Sequence, residues 1–187
     1  MKFKGNLYLI GPMGAGKSTV GRLLASHLNV PFLDLDQEIE ARSGVDIPTI
    51  FEFEGESGFR RREHEVLKRI AQRRGTVVAT GGGVVLWPEN RRLLRASGFV
   101  IYLSCPVEVQ LERTRYDTHR PLLQTPDREQ KLRQLMEERE PLYREVADLV
   151  VRTDRKSSRT VVHRIVESLT KIGLISDENA SHWSRRP

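Results

Sequence analysis

Residues 11–18 read Gly11-Pro12-Met13-Gly14-Ala15-Gly16-Lys17-Ser18, which matches the pattern G-x-x-x-x-G-K-[S/T] of a phosphate-binding loop. The stretch follows an apolar run, Asn6 to Ile10, and precedes an amphipathic segment, as this pattern requires. Its glycines allow backbone N–H groups to point inward, where they and the positive end of the helix can hold a polyphosphate. We therefore predict that Lys17 reaches the outer phosphates of a nucleotide and that the Ser18 hydroxyl ligates magnesium.

Short apolar runs alternate along the chain with longer amphipathic segments. Strand-like runs occupy Asn6 to Ile10, Pro31 to Leu35, Thr76 to Ala79, Phe99 to Leu103 and Asp148 to Val151. Helical periodicity fits Lys17 to Leu28, Ser57 to Arg73, Glu89 to Ala96, Val107 to Arg115, Arg128 to Val146 and Ser158 to Ile172. This alternation predicts an α/β fold with a five-stranded parallel sheet flanked by helices. We expect one domain over residues 1–175 and a flexible tail over residues 176–187.

Composition narrows the classes of partner. The net charge is +6, but basic and acidic residues alternate, as in Arg60 to Lys68 and Lys131 to Arg144, a pattern typical of solvated helix faces. Aromatic residues make up only 6% of the chain and do not interleave with the basic runs, so no nucleic-acid partner is expected. No run approaches the ~20 apolar residues of a membrane-spanning helix. With Cys105 as the single cysteine, interpreted as a small buried residue, we expect a cytoplasmic protein without disulfides, and a monomer.

Two aspartates follow the second predicted strand. Asp34 and Asp36 stand where ligands of α/β sheets collect, at the carboxyl ends of the strands. One carboxylate could help to hold magnesium, and the other could orient or deprotonate an acceptor hydroxyl. The alternative is helix capping, because Asp36 opens an acidic turn with Glu38 and Glu40.

Glycines and arginines mark further candidate positions. Thr80-Gly81-Gly82-Gly83 follows the third strand, where the absence of β-carbons lets a substrate lie against the backbone, although a plain turn would also explain it. Arg60, Arg120 and Arg139 each lie beside a glycine or proline. Their guanidinium groups suit a substrate carboxylate or the charge on a transferred phosphoryl group, whereas most arginines on such helices are simply solvated.

Two stretches fit neither the sheet nor a long helix. Residues 47–58 contain spaced aromatics and a glycine-containing turn, so that Phe51, Phe53 and the nearby Phe59 could wall a substrate pocket or pack into the core. Residues 116–127 contain two prolines between helices, as expected for a mobile lid or an ordered loop.

Taken together, these motifs resemble the shikimate kinase family over roughly Asn6 to Leu169. The matching segments are Gly11 to Thr19, Asp34 to Asp36, Glu54 to Arg60, Thr80 to Gly83, Arg120 to Leu123, Arg139 to Tyr143 and Ala147-Asp148. The resemblance implies the three-layer fold of nucleoside monophosphate kinases, with a phosphate-loop core, a lid at about residues 113–127 and a substrate-binding region at about residues 34–63. One departure is the lack of a proline in residues 153–157, which leaves one wall of the adenine pocket unassigned.

The resemblance also implies the role of each residue. The catalytic residues would be Lys17, Asp36 and Arg120, the last carried by the lid. Shikimate would be bound by Asp36, Arg60, Gly81, Gly82, Gly83 and Arg139, with the carboxylate on the two arginines. ATP would be bound by Gly14, Ala15, Gly16, Lys17, Ser18, Thr19, Arg113 and Arg120, with Arg113 against adenine. Magnesium would be held by Ser18 and Asp34.

The expected reaction is transfer of the ATP γ-phosphoryl group to the 3-hydroxyl of shikimate, toward aromatic amino acids. A kinase of gluconate or of a nucleoside monophosphate is the near alternative, since a phosphate could occupy similar arginine forks. A nucleotide switch or nucleic-acid ATPase lacks support, because there is no N-K-x-D signature and the third strand ends in Thr80-Gly81. A non-catalytic nucleotide sensor would not need the intact Lys17, Ser18, Asp34 and Asp36.

Overall fold

The computed structural model describes residues 5–117, 121–154 and 157–176. The strands are β1 (Asn6–Ile10), β2 (Phe32–Asp34), β3 (Val77–Ala79), β4 (Gly98–Ser104) and β5 (Leu149–Arg152). The helices are α1 (Lys17–Leu28), α2 (Leu35–Ser43), α3 (Ile47–Ala71), α4 (Pro88–Ser97), α5 (Val107–Arg113), α6 (Arg128–Val146) and α7 (Ser158–Lys171), with a 3-10 turn at Pro121–Leu123. The five predicted strands and the six predicted helices therefore occur in the expected order, and α2 is an additional helix.

All five strands form one parallel sheet in the order β2-β3-β1-β4-β5. The chain leaves β1 in the middle of the sheet and crosses to β2 at one edge, and later returns from β3 to β4 on the other side of β1. The carboxyl ends of β1, β2 and β3 thus meet at the point where the strand order reverses, which is where ligands bind in open α/β sheets. The five-stranded parallel sheet is as predicted.

Two hydrophobic layers cover the two faces of the sheet. Successive residues of β1 point to opposite faces, so Leu7 and Leu9 pack in one layer and Tyr8 and Ile10 in the other. The first layer is closed by α1 and α7, and the second by α2, α3, α4 and α6. All four of these β1 side chains are fully buried, which fixes the strand that leads into the phosphate-binding loop.

Two helical segments differ from the expectation. Residues 35–43 form α2, which periodicity did not reveal because only Leu35 and Ile39 of this helix are buried. Residues 47–58, which fitted neither element, form the start of α3. Asp46 caps this helix by accepting a hydrogen bond from the Thr49 N–H at 3.0 Å, and Gly55, with φ +68° and ψ −178°, interrupts it. Gly55 therefore marks a break within a helix instead of a turn outside it.

Within the described ranges, no helix combines the length and the apolar character needed to cross a membrane. The expected tail, residues 176–187, lies outside those ranges except for Ser176.

Candidate active site

The phosphate-binding loop connects the buried end of β1 to α1. Gly16 lies at the helix cap with φ +86°, a left-handed conformation that favours glycine. The Lys17 ammonium group donates hydrogen bonds to the carbonyl oxygens of Gly11 and Pro12, both at 2.8 Å. These contacts hold the charged end of Lys17 across the loop, although its backbone belongs to the first turn of the helix.

A cavity of about 240 Å³ opens in front of the loop. It is lined by Gly14, Gly16, Lys17, Ser18, Thr19, Asp34, Asp36, Thr80, Gly81, Gly82 and Arg113. Ala15, also expected in the nucleotide site, is buried at the loop. The N-terminus of α1 and the ammonium group of Lys17 both contribute positive charge, so the cavity suits a polyphosphate.

The two aspartates have different local functions. Asp34 caps α2 by accepting hydrogen bonds from the N–H groups of Asp36 and Gln37, at 3.1 and 3.3 Å. Its other carboxylate oxygen accepts a hydrogen bond from the Ser18 hydroxyl at 2.5 Å. The capping alternative considered for Asp36 therefore applies to Asp34, and Asp36 is placed in the first turn of α2 with its side chain at the cavity.

Ser18 and Asp34 together offer hydroxyl and carboxylate oxygens at the edge of the phosphate cavity. Magnesium prefers oxygen ligands and usually keeps several waters, so a few protein oxygens beside substrate phosphates fit it. In the described part of the chain, no group of three or more His, Cys, Asp or Glu side chains could form an all-protein metal cage. The donor set thus fits a magnesium ion that is shared with a nucleotide.

A second cavity, of about 210 Å³, lies beside the first. It is lined by Met13, Asp36, Glu40, Ile47, Phe51, Phe59, Arg60, Glu63, Gly81, Gly82, Gly83, Asp117, Pro121, Leu122 and Arg139. Asp36, Gly81 and Gly82 line both cavities. A small molecule in the second cavity would therefore meet the phosphate cavity at the carboxylate of Asp36.

Arg60 is buried in the wall of the second cavity, where two carboxylates hold it. Its guanidinium group donates to Glu63 at 2.8 Å and to Glu56 at 3.1 Å. Burial lowers the pKa of Arg60, but the charges of Glu63 and Glu56 outweigh burial and leave the pKa above its usual value. Burial also raises the pKa of the Glu63 carboxyl, against the opposing charges of Arg60 and Arg139.

Glu63 is the site residue that sequence reasoning missed. It belongs to the charged run Arg60 to Lys68, which was interpreted as a solvated helix face, and for this residue the interpretation is wrong because its side chain is completely buried. Arg60 in the same run is also buried. Glu63 lies three positions after Arg60, so the two share one face of α3, and this spacing was the only available signal.

Arg139 lies opposite, on α6, and is 4% exposed. Unlike Arg60, it forms no ion pair with any carboxylate in the described residues. The buried charges around the cavity are thus two guanidinium groups and one carboxyl, that of Glu63. A buried cation that is not ion-paired with a carboxylate is costly, so this arrangement favours an anionic ligand.

The three glycines allow the backbone to approach these side chains. A β-carbon at Gly83 would lie 2.2 Å from a guanidinium nitrogen of Arg60. One at Gly81 would lie 2.9 Å from Asp36 Oδ1 and 3.0 Å from Glu63 Oε1. The distances to Arg60 and Asp36 are shorter than real β-carbons show, and the distance to Glu63 is tight, so the segment provides close packing and is more than a plain turn.

The remaining predicted residues lie at the rim or outside the described ranges. Arg113 lines the phosphate cavity and donates to the carbonyl oxygens of Gly14 and Asp154, at 2.9 and 2.8 Å. Phe51 and Phe59 line the second cavity, whereas Phe53 is 79% exposed, so its proposed place in the pocket wall is wrong. Arg120 lies outside the described residues. Cys105 is buried as expected, and burial raises the pKa of its thiol.

The fold and the two adjoining cavities define a phosphate-loop kinase of the α/β class. The family model described as shikimate kinase matches residues 13–170. A shikimate kinase from Halorhodospira halophila is 60% identical over 163 residues, which cover 87% of this chain and 92% of that protein. One from Methylococcus capsulatus is 56% identical over 173 residues, covering 92% and 97% of the two chains. The chain belongs to the shikimate kinase family.

The solved structures agree with this assignment. Shikimate kinase from Acinetobacter baumannii, solved in complex with shikimate, superposes with a TM-score of 0.90 at 49% identity. The match covers 93% of this chain and 97% of that one. The resemblance inferred from the motifs is confirmed.

Proposed function

We infer that this protein is an ATP-dependent kinase whose acceptor is shikimate. It transfers the γ-phosphoryl group of ATP to the 3-hydroxyl group, giving shikimate 3-phosphate and ADP, a step in the synthesis of aromatic amino acids. The observation that carries this inference is the meeting of the two cavities at Asp36, Gly81 and Gly82. A nucleotide in one cavity and an acceptor in the other would face each other at that boundary.

The acceptor cavity fits a small hydroxylated acid. Its volume of about 210 Å³ suits a molecule with a single ring, and Phe51 and Phe59 give it an apolar wall. The buried Arg60 and Arg139 provide the positive charge for a carboxylate, while Glu63 offsets one of the two charges. The acceptor would bind with its carboxylate toward the arginines and a hydroxyl toward Asp36.

Phosphoryl transfer depends mainly on positioning and on neutralising charge. Asp36 would orient the acceptor hydroxyl and accept its proton as the oxygen attacks the γ-phosphorus. Lys17 would stabilise the charge on the transferring group. Magnesium, held by Ser18 and by Asp34 through its waters, would neutralise the phosphate oxygens when bound.

The lid and the nucleotide contacts complete the proposal. Within a single domain over residues 1–175, residues 34–63 would form the substrate-binding region and residues 113–127 the lid. Arg120 would reach the transferring phosphoryl group when the lid closes, and closure would exclude water and limit hydrolysis. Arg113 would pack against adenine. We propose that the protein acts as a cytoplasmic monomer.

The near alternatives are kinases of gluconate or of a nucleoside monophosphate. The charge around the second cavity argues against the monophosphate, because two buried guanidinium groups with one already paired suit a single negative charge better than a dianion. The apolar wall of Phe51 and Phe59 favours a ring over the open polyol chain of gluconate.

An acceptor panel tests the proposal. ADP release is measured with magnesium-ATP and, in separate reactions, shikimate, gluconate, a nucleoside monophosphate and nucleic acid. Strong ADP release is expected with shikimate and with none of the other acceptors. Release with another acceptor and none with shikimate would refute the proposal. Release without any acceptor would indicate a nucleotide hydrolase.

A further inference from the structure

Tyr143 links α6 to the triple-glycine segment. Its side chain is completely buried, and its hydroxyl donates a hydrogen bond to the Gly82 carbonyl oxygen. Its ring stacks on Tyr102 of β4, with centroids 5.0 Å apart and an angle of 26° between the planes. The sheet therefore fixes the ring, and the ring fixes the position at which the hydroxyl meets Gly82.

The same face of α6 carries Arg139, one helical turn before Tyr143. A β-carbon placed on Gly82 would lie 3.6 Å from a guanidinium nitrogen of Arg139, in ordinary van der Waals contact. Pro141 lies between the two residues and cannot donate the helical hydrogen bond to the Glu137 carbonyl. This turn of α6 thus lacks one internal bond, so contacts outside the helix contribute more to fixing Arg139.

A contact that fixes Gly82 affects both substrate sites, because Gly82 lines both cavities. A rotation of its peptide plane would move the boundary between acceptor and phosphates and would shift its distance from Arg139. The Tyr143 hydrogen bond opposes that rotation.

We propose that Tyr143 is a positioning residue of the acceptor site, which holds the Gly82 peptide and the Arg139 guanidinium group in register through one buried hydroxyl. The proposal rests on the proposed function, since it concerns how the same site binds its acceptor. Burial raises the pKa of Tyr143, so the hydroxyl remains a donor throughout the neutral pH range.

A second connection between α6 and the segment that contains Gly82 lies nearer the surface. Arg91 of α4 donates to the carbonyl oxygens of Val85 and Leu86, at 2.8 and 3.2 Å, and to Glu145 of α6 at 3.3 Å. The loop therefore stays attached to the helices when the Tyr143 hydroxyl is removed. A Tyr143→Phe variant is expected to fold, with the disturbance confined to Gly82 and its neighbours.

The test compares Tyr143→Phe with Tyr102→Phe, which removes a hydroxyl from the other ring of the same stack. Kinetics are measured for both substrates, and amide hydrogen exchange is followed in peptides that cover residues 80–86. Leaving the partly buried Gly82 carbonyl without its donor should raise the KM for shikimate about tenfold in Tyr143→Phe, with the KM for ATP unchanged. Exchange in residues 80–86 should accelerate in this variant, while Tyr102→Phe should resemble the wild type in both measurements.

Each outcome decides one question. Equal effects of the two substitutions, or a rise in the KM for ATP that matches the rise for shikimate, would overturn the positioning role and leave a general packing effect. If the wild type fails to phosphorylate shikimate, the proposed function fails. The exchange rates still decide whether Tyr143 holds the Gly82 segment, because that measurement needs no substrate.

Discussion

Replacing Arg139 by Gln is expected to weaken acceptor binding without destabilising the fold, whereas replacing Arg60 by Gln should do both. The difference follows from their partners. Arg60 is paired with the buried Glu63 at 2.8 Å, but Arg139 forms no ion pair in the part of the chain that the structure describes. Removing Arg60 leaves a buried carboxyl unpaired, while removing Arg139 removes a buried charge that has no such partner.

The magnitudes separate the two variants clearly. Loss of a hydrogen bond to a charged group costs about 1.5–3 kcal/mol, so each variant should raise the KM for shikimate roughly 10- to 150-fold. Leaving Glu63 unpaired should cost about 3–5 kcal/mol in the free energy of unfolding, which for this chain length lowers the Tm by roughly 6–20 °C. The Tm of Arg139→Gln should stay close to that of the wild type.

The assay combines initial rates of ADP release over a range of shikimate concentrations with thermal unfolding followed by circular dichroism. The double variant Arg60→Gln/Glu63→Gln is the control, because it removes both members of the pair and should recover stability without recovering the KM for shikimate. An unchanged Tm in Arg60→Gln, or a KM for ATP that rises with that for shikimate in Arg139→Gln, would refute the reasoning.

Three further substitutions or measurements test other parts of the site. Asp36→Asn should depress turnover strongly while calorimetry finds ATP binding nearly intact, and unchanged turnover would remove Asp36 from the mechanism. Gly83→Ala places a β-carbon 2.2 Å from the Arg60 guanidinium group, whereas Gly82→Ala meets nothing within 3.6 Å, so the Gly83 substitution should lower the Tm more; the reverse order would contradict the packing described for this segment. The Cys105 thiol, buried and with a raised pKa, should resist a thiol reagent at about pH 8 until the chain is unfolded, and rapid labelling of the native protein would contradict its burial.

The sheet could be predicted from the sequence because its signals are local. Each strand is a short apolar run, and the helices that cover it show a clear period, as in Arg128–Val146, where the predicted and observed ends agree. The helix Leu35–Ser43 was not predicted, because a helix with only two buried residues has almost no hydrophobic periodicity. The helix Ile47–Ala71 was predicted to begin too late, because Gly55 and Gly58 suggested a turn. Asp46 and the early proline are nevertheless typical of a helix start.

The site could be predicted only where residues form a motif or follow a strand. Lys17, Ser18 and Asp34 meet because β1 and β2 both end at the same edge of the sheet. Glu63 could not be found, because a carboxylate within a charged helix is normally solvated, and its burial depends on how α3 packs against the glycine segment. The hydrogen bond between Tyr143 and Gly82 joins residues 61 positions apart, so no local sequence pattern indicates it.

The most direct test of the account is the identity of the phosphorylated oxygen in the product. Shikimate is incubated with the protein and magnesium-ATP, and the product is examined by phosphorus–proton correlation NMR. Because a single hydroxyl would lie beside Asp36 at the boundary of the two cavities, one product is expected, with phosphorus coupled to the proton at the carbon that bears the 3-hydroxyl. Phosphorylation of another hydroxyl, a mixture of products, or no phosphorylated shikimate would contradict it.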